Sequence, residues 1–328
     1  MGKIGLIANP ASGKDVRRLV ARASVFDNQE KRAIVRRVLA GAISAGATEF
    51  VYHNDAHGIC RLAIEETKAE FEACPVDSTQ MGTVLDTISA ARAMKAAGCE
   101  VVITLGGDGT NRAFCLGWPT APLLPISTGT NNVFPSLREA TIAGAAAGLI
   151  ATGRIGHEAM AQQKCIEVAV DGERDDFALI DAMLTKERFV GARALLKPHL
   201  FSSALLTRAD PAAVGITSIG GLLHPIDAKA DSGLWLEFGP GGTTINAPIA
   251  PGLYLDVHVN KFQPLALGQA VRTEGPGTLA FDGERERRLK AGQTATLTLT
   301  RNGPRVVDVS ATLHWAAERG YFRSKYKN

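Results

Sequence analysis

VVITLGGDGTNRAFCLG, residues 101–117, runs from β-forming residues through a glycine-rich turn into a segment able to start a helix. Val101, Val102, Ile103 and Thr104 favour a strand. Gly106, Gly107 and Gly109 let the backbone approach an anion, and the N–H groups of a helix start would point at it. The stretch therefore reads as a phosphate cradle. Asp108 is the discordant residue, because a carboxylate among phosphate-binding amides repels phosphates. It calls for a role: accepting the proton of an attacking hydroxyl, or holding Mg²⁺. The competing account is a tight turn with a solvated aspartate, and from the pentapeptide alone the two weigh about evenly.

The surroundings of this stretch alternate strands and helices. KIGLIA (3–8) is a continuous apolar run, expected of a strand buried on both faces. Residues 29–46 carry Ile34, Val35, Val38, Leu39, Ala42 and Ile43 at helical spacing. EFVYH (49–53) reads as a strand, 57–70 as a weak helix and 80–97 as a helix, and after the cradle come strand 122–127 and an alanine-rich helix over about 136–151. The alternation predicts a Rossmann-like parallel sheet covered by helices, with ligands at the carboxyl ends of the strands. Two further polar turns end strands in this half. Asn9, Ser12 and Gly13 follow the first; Thr128, Gly129, Thr130 and Asn132 follow strand 122–127. A plain Asn-Pro turn and a plain N-cap account for each singly. Three such turns at strand ends point to one phosphate-rich pocket. NPASGK (9–14) is not a P-loop, since its glycine spacing and terminus differ.

Past about 153–164 the texture changes to short alternating segments. IEVAV (166–170) meets RDDFALI (174–180) across Asp171-Gly172, a strong hairpin signal. GLWLEF (233–238), LYLDVHV (253–259), TLAFD (278–282) and TATLTLT (294–300) predict a β-sandwich or closed antiparallel sheet, with one helix near 198–207 and a helical tail over 311–322. The expected organisation is an α/β domain over 1–153, a β-rich domain over 154–310, and a C-terminal helix over 311–328 returning to the first domain. DGER occurs at 171–174 and again at 282–285, and hairpin turns explain both.

Composition narrows the function classes. The chain has 328 residues, 45% of them apolar, and a formal net charge of +3. That charge is too mild to argue for nucleic acid or stable membrane association. Five scattered cysteines with no Cys-x-x-Cys pair disfavour a disulfide framework or zinc site and fit a reducing cytoplasm. The seven histidines show no metal-ligand spacing, and no Ser-His-Asp or Cys-His arrangement stands out.

Taken together, NPASG (9–13), GGDGTNR (106–112) and STGTNN (127–132) resemble the superfamily of NAD kinases and diacylglycerol or sphingosine lipid kinases. KIGLIANPASGKD and PLLPISTGTNNVFP resemble its acetoin catabolism protein X type. The resemblance implies an α/β domain followed by a β-sandwich domain, ATP as phosphoryl donor, Mg²⁺, a small-molecule acceptor and a homo-oligomer. It implies Asp108 as catalytic residue, and Asn9, Ser12, Gly106, Gly107, Gly109, Thr110, Thr128, Gly129, Thr130 and Asn132 around the nucleotide. Residues 233–252 resemble the NAD-kinase segment with a Thr-Gly-Ser-Thr-Ala-Tyr core; Gly241, Gly242, Thr243, Thr244 and Asn246 stand at that place, without the tyrosine. Asp181 matches the carboxylate of the Asn-Glu or Asn-Asp pair that binds the dinucleotide, but Ile180 replaces the asparagine and cannot make its paired hydrogen bonds. The late Asp-Gly of the superfamily matches Asp282-Gly283, which places Asp282 and Glu284 at the cleft. NAD is the default acceptor on this resemblance. A small polyol or sugar-like alcohol, a lipid, and a non-catalytic nucleotide-binding regulator are the alternatives.

Overall fold

The computed structural model describes residues 2–13, 26–129, 131–187 and 197–323. The first elements are β1 (Lys3–Ala8), α1 (Asn28–Ser44), β2 (Glu49–Tyr52), α2 (Ile59–Glu65), β3 (Glu72–Pro75), α3 (Val84–Ala96), β4 (Cys99–Gly106), α4 (Asp108–Gly117), β5 (Pro122–Ser127), α5 (Ala140–Ala151) and β6 (Met160–Gln162). The strands pair in parallel in the order β3-β2-β1-β4-β5. Strand order therefore reverses between β1 and β4, which is where such sheets open a crevice at their carboxyl ends. α1 starts where the Asp27 side chain accepts the Glu30 amide, and it buries the expected stripe of Ile34, Val35, Val38, Leu39 and Ala42. α1 and α5 cover one face of the sheet in a shared core; α3 and α4 cover the other. Gly41 of α1 and Gly144 of α5 lie so close to the partner helix that a Cβ on either would strike its backbone. Small residues at that contact account for the alanine- and glycine-rich sequence of α5.

The following elements are β7 (Cys165–Val170), β8 (Glu173–Ala178), β9 (Asp181–Thr185), β10 (Phe201–Leu206), α6 (Ile216–Leu223), β11 (Ser232–Ala250), β12 (Leu253–Ala266), β13 (Ala270–Glu274), β14 (Gly277–Phe281), β15 (Glu284–Leu289) and β16 (Thr294–Thr300). They build a six-stranded sheet, β12-β11-β10-β9-β14-β15, and a four-stranded sheet, β13-β16-β7-β8. Val168 and Leu297 from the smaller sheet pack with Leu205, Leu279 and Phe281 from the larger in one core, so the expected sandwich is present. β17 (Arg305–Val307) then pairs in parallel with β5 and antiparallel with β6, extending the first sheet. α7 (Val309–Glu318) packs its Ala316 with Ala45 and Leu149.

One expected element is wrong in type. Residues 201–206 form a strand, not a helix, between β9 and β11. FSSALL holds good helix formers, but its residues are buried or nearly so in the middle of a sheet, and tertiary pairing overrides propensity. α6, β3, β9, β13, β15 and β17 were not legible as separate elements. β3 is mostly exposed at a sheet edge, and α6 carries adjacent Gly220 and Gly221, so neither shows a clean period. The described cysteines are all free, with Cys60, Cys99, Cys115 and Cys165 buried and Cys74 exposed. Among the described residues no helix is long and apolar enough to cross a membrane.

Candidate active site

The turns after β1, β4 and β5 lie side by side and are stitched together. The Asn9 amide donates to Thr110 Oγ1 at 2.8 Å. Ser12 Oγ and Thr128 Oγ1 are 2.8 Å apart. The Asn9 N–H reaches Leu105 O at 2.9 Å and the Thr128 N–H reaches Gly106 O at 3.2 Å. Asn132 Nδ2 donates to Ser127 Oγ at 2.8 Å. Asn9, Ser12, Gly106, Gly107, Gly109, Thr110, Thr128, Gly129 and Asn132 are thus one cluster. Thr130 lies outside the described residues.

The glycines serve this cluster in a way the sequence did not suggest. A Cβ on Gly107 would stand 2.7 Å from Asn132 Oδ1, one on Gly106 2.5 Å from Thr110, and one on Gly109 2.9 Å from Glu284 Oε1. The space over the turn is taken by the side chains of Thr110, Asn132 and Glu284, so Gly106, where a Cβ would strike Thr110, is needed for packing before any phosphate arrives. α4 has no side-chain cap at Gly107, and the amides of Gly109 and Thr110 have no intrahelical acceptor. That open helix start is suited to an anion.

Asp108 is the first residue of α4. Its carboxylate accepts from Phe134 N at 2.7 Å and from Val133 N at 3.1 Å, so the loop after β5 fixes its direction. Asp282 follows β14 with a left-handed backbone, φ 49°. Its buried carboxylate accepts from the amides of Ile180 at 2.7 Å, Leu179 at 3.0 Å and Asp181 at 3.2 Å. Burial pushes the Asp282 carboxyl up to about 7; Arg112 and the Leu179 and Ile180 amides oppose the rise and Asp108 adds to it. Asp108, Asp181 and Asp282 line one narrow cleft of about 50 Å³. Asn131 and Val133 bound it from the first domain, and Val214 to Thr217 with Ile249 from the second.

Two buried cations, Arg112 and Lys31, and the half-buried Arg208 brace these loops. Arg112 of α4 donates to Phe177 O at 2.7 Å and Asp176 at 2.7 Å, and also pairs with Glu286. Burial pulls its pKa down, but Asp176, Glu286 and Asp282 outweigh that and hold it above the ordinary value. The Arg208 guanidinium lies over the Phe134 ring, 6.0 Å from its centroid, and reaches Val133 O at 3.4 Å. Burial lowers its pKa against the pull of Asp108, Asp227 and Asp282. Lys31 is fully buried and donates to Ser12 O at 2.7 Å, Asn9 O at 2.9 Å and Pro10 O at 3.2 Å, fastening the first loop from beneath.

Sequence reasoning missed Lys31, Arg112, Arg208 and the start of α6. For Lys31 a signal existed, because it falls on the apolar stripe of α1, one turn before Ile34 and Val35. Arg208 carried none. The 241–246 segment does not join the cleft. Gly241, Gly242, Thr243 and Thr244 are exposed on the bend of β11; Thr244 bonds His258 at 2.8 Å and Asn246 bonds Asp256 at 2.8 Å across the β11–β12 arm. Ile180 is buried in the core rather than facing the cleft. Glu284 is exposed beside Gly109.

Comparison with known proteins places this geometry. A family model of the ATP-NAD kinase N-terminal domain matches residues 4–155, and one of the acetoin catabolism protein X C-terminal domain matches residues 164–302. The chain is 38% identical over 337 residues to acetoin catabolism protein X of Cupriavidus necator, covering 98% of this chain and 94% of that protein. The chain belongs to the acetoin catabolism protein X family. Its fold is also that of yeast NADH kinase, solved with NADH, at a TM-score of 0.54 and 12% identity over 100% of this chain and 89% of that one. A putative diacylglycerol kinase from Bacillus anthracis str. Sterne matches at a TM-score of 0.51 and 14% identity, over 93% of this chain and 97% of that one. This member of the acetoin catabolism protein X family thus has the fold of NADH kinase and diacylglycerol kinase structures, with a cleft walled by Val214–Thr217 and Ile249.

Proposed function

We propose that this chain is a phosphotransferase that moves the γ-phosphoryl group of ATP to a hydroxyl of a small molecule. The observation that carries the reading is Asp108, held by two backbone amides at the open start of α4 and facing a cleft shared with Asp181 and Asp282. Phosphoryl transfer is mostly positioning and charge neutralisation. The stitched turns 9–13, 106–110 and 127–132 would cradle the phosphates. Asp108 would accept the proton of the attacking hydroxyl. Asp181 and Asp282 would orient the acceptor, and Arg112 and Arg208 would limit the negative charge of the cleft.

The donor set suits Mg²⁺, a hard cation that is commonly shared between one or two carboxylates and substrate phosphates. Among the described residues no group of three or more acidic, histidine or cysteine side chains could hold a metal alone. Asp181 would hold Mg²⁺ arriving with the nucleotide, leaving Asp108 free to take the proton, and the ion would offset charge on the transferred phosphoryl group. NAD is the acceptor that the family's kinases suggest, and the acetoin catabolism name of the relative suggests a catabolic setting. The test is Asp108→Asn. Turnover of ATP should fall about 10²-fold or more, as for loss of a positioned base, while ATP affinity by calorimetry persists or rises. Near-full turnover in the variant would reduce Asp108 to a turn residue and remove the mechanism.

A further inference from the structure

The cleft at Asp108 is narrow, and its walls select its occupant. Its volume is about 50 Å³. A water needs about 10–15 Å³ by the same kind of measure, so the space takes roughly four water-sized groups. Val133, Val214, Ile216 and Ile249 bound it with apolar surface. Its polar lining offers acceptors and donors together. The carboxylates of Asp108, Asp181 and Asp282 accept hydrogen bonds. Asn131 Oδ1, also at the cleft, is buried with no hydrogen-bond partner among the described residues. Opposite them α6 begins at Gly215 without a side-chain cap, and its first amides, Ile216 and Thr217, have no intrahelical acceptor.

We infer, on the phosphotransferase reading above, that the acceptor is a short, uncharged polyhydric alcohol of about three or four carbons. A hydroxyl is the group that donates to a carboxylate or an amide oxygen while accepting from an N–H. A neighbouring hydroxyl occupies the Asn131 side while the reacting one faces Asp108. An anionic acceptor meets the carboxylate of Asp108 directly, with Asp181 and Asp282 beside it, and a dinucleotide would have to lie mostly outside the cleft. In the reaction the alcohol oxygen bonds the γ-phosphorus. The bond from that phosphorus to the β,γ-bridging oxygen breaks with its electron pair leaving on ADP. The hydroxyl proton passes to the Asp108 carboxylate and then to water. The products are the alcohol phosphate and ADP.

The test uses the full chain with ATP and Mg²⁺ and compares kcat/KM for glycerol, four-carbon polyols, glycerate, glycerol 3-phosphate, 2-aminoethanol and NAD. The neutral polyols should exceed the anionic alcohols and NAD by at least about 100-fold, well within the discrimination of about 10⁴-fold or more that a site built on hydrogen bonds can reach. Ile249→Ala should move preference toward six-carbon polyols by about tenfold, the low end of what one methylene contact in an apolar pocket is worth. Calorimetry with ATP runs alongside and separates two failures. If ATP does not bind, the phosphotransferase reading falls. If ATP binds but NAD, an anionic alcohol or the aminoalcohol is the efficient acceptor, or none is phosphorylated, this inference alone is overturned. An unchanged chain-length preference in Ile249→Ala also overturns it.

Discussion

Asp171-Gly172 and Asp282-Gly283 open the same tetrapeptide, DGER, and close the same kind of hairpin. Both aspartates take left-handed backbone, φ 52° and 49°. There the likeness ends. Asp171 is exposed at the tip of β7–β8, where its carboxylate accepts from Thr294 N and Gln293 Nε2. Those bonds hold its carboxyl below the ordinary range. Asp282 is buried at the joint of the two domains, where three amides and the field of Arg112 act on it, and burial drives its carboxyl up to about 7. Local sequence specifies a turn, and the place of the turn in the fold decides whether the carboxylate does anything more.

The largest expected contrast is in stability. Asp282→Ala strips the acceptor from the amides of Leu179, Ile180 and Asp181. Unsatisfied buried groups cost about 1–3 kcal/mol each, and partial relaxation brings the expected loss to roughly 3 kcal/mol. Asp171→Ala should produce only a small shift in the same urea titration. Equal losses in the two variants would break the comparison.

The next contrast is one of sign with pH. The folded-state pKa of Asp282 is raised from 3.8 to about 7, so the folded protein binds a proton there that the unfolded chain has released. Its contribution is fully present below the unfolded value and is lost as pH rises toward 7, with a slope of at most about 1.4 kcal/mol per pH unit. The Asp171 carboxyl is lowered on folding, so its contribution is present above the unfolded value and lost as pH falls. Metal-free unfolding measured from pH 4 to 8 should show wild type losing stability relative to Asp282→Asn as pH rises. Relative to Asp171→Asn, wild type should lose stability only below about pH 4, so that pair is followed on down to about pH 2. Parallel curves for both pairs would contradict the environments described here.

The smallest effect sharpens the cause. Asp108 contributes to the rise at Asp282. In Asp108→Asn the stability loss attributed to Asp282 should be centred at lower pH, with less total loss between pH 4 and 8. An unmoved profile would leave burial as the sole cause.

Much of the active cleft was legible because its parts obey local rules. GGDGT announces an open helix start after a buried strand, and the polar turns after β1 and β5 end neighbouring strands of one sheet. The sandwich was legible from period-two runs, although β10 was read as a helix because leucine and alanine carry no mark of pairing on both sides. The 241–246 segment was assigned to the acceptor by resemblance, and the structure sets it on an exposed bend away from the cleft.

By itself the sequence determined the parallel sheet, the three polar turns at its edge and Asp108 at the head of α4, since backbone freedom, side-chain period and helix ends are properties of neighbours in the chain. Resemblance favoured Asp282 over Asp171, and the tertiary structure supplies the physical reason, since Asp282 is buried and shares a cleft with Asp108 while Asp171 is exposed at a hairpin tip. Only the tertiary structure decided that Lys31 and Arg208 brace the loops, and that α6 and Ile249 wall the cleft. Burial and charge pairing depend on groups brought together from far apart in the chain, and no local pattern encodes which of two identical turns will be covered.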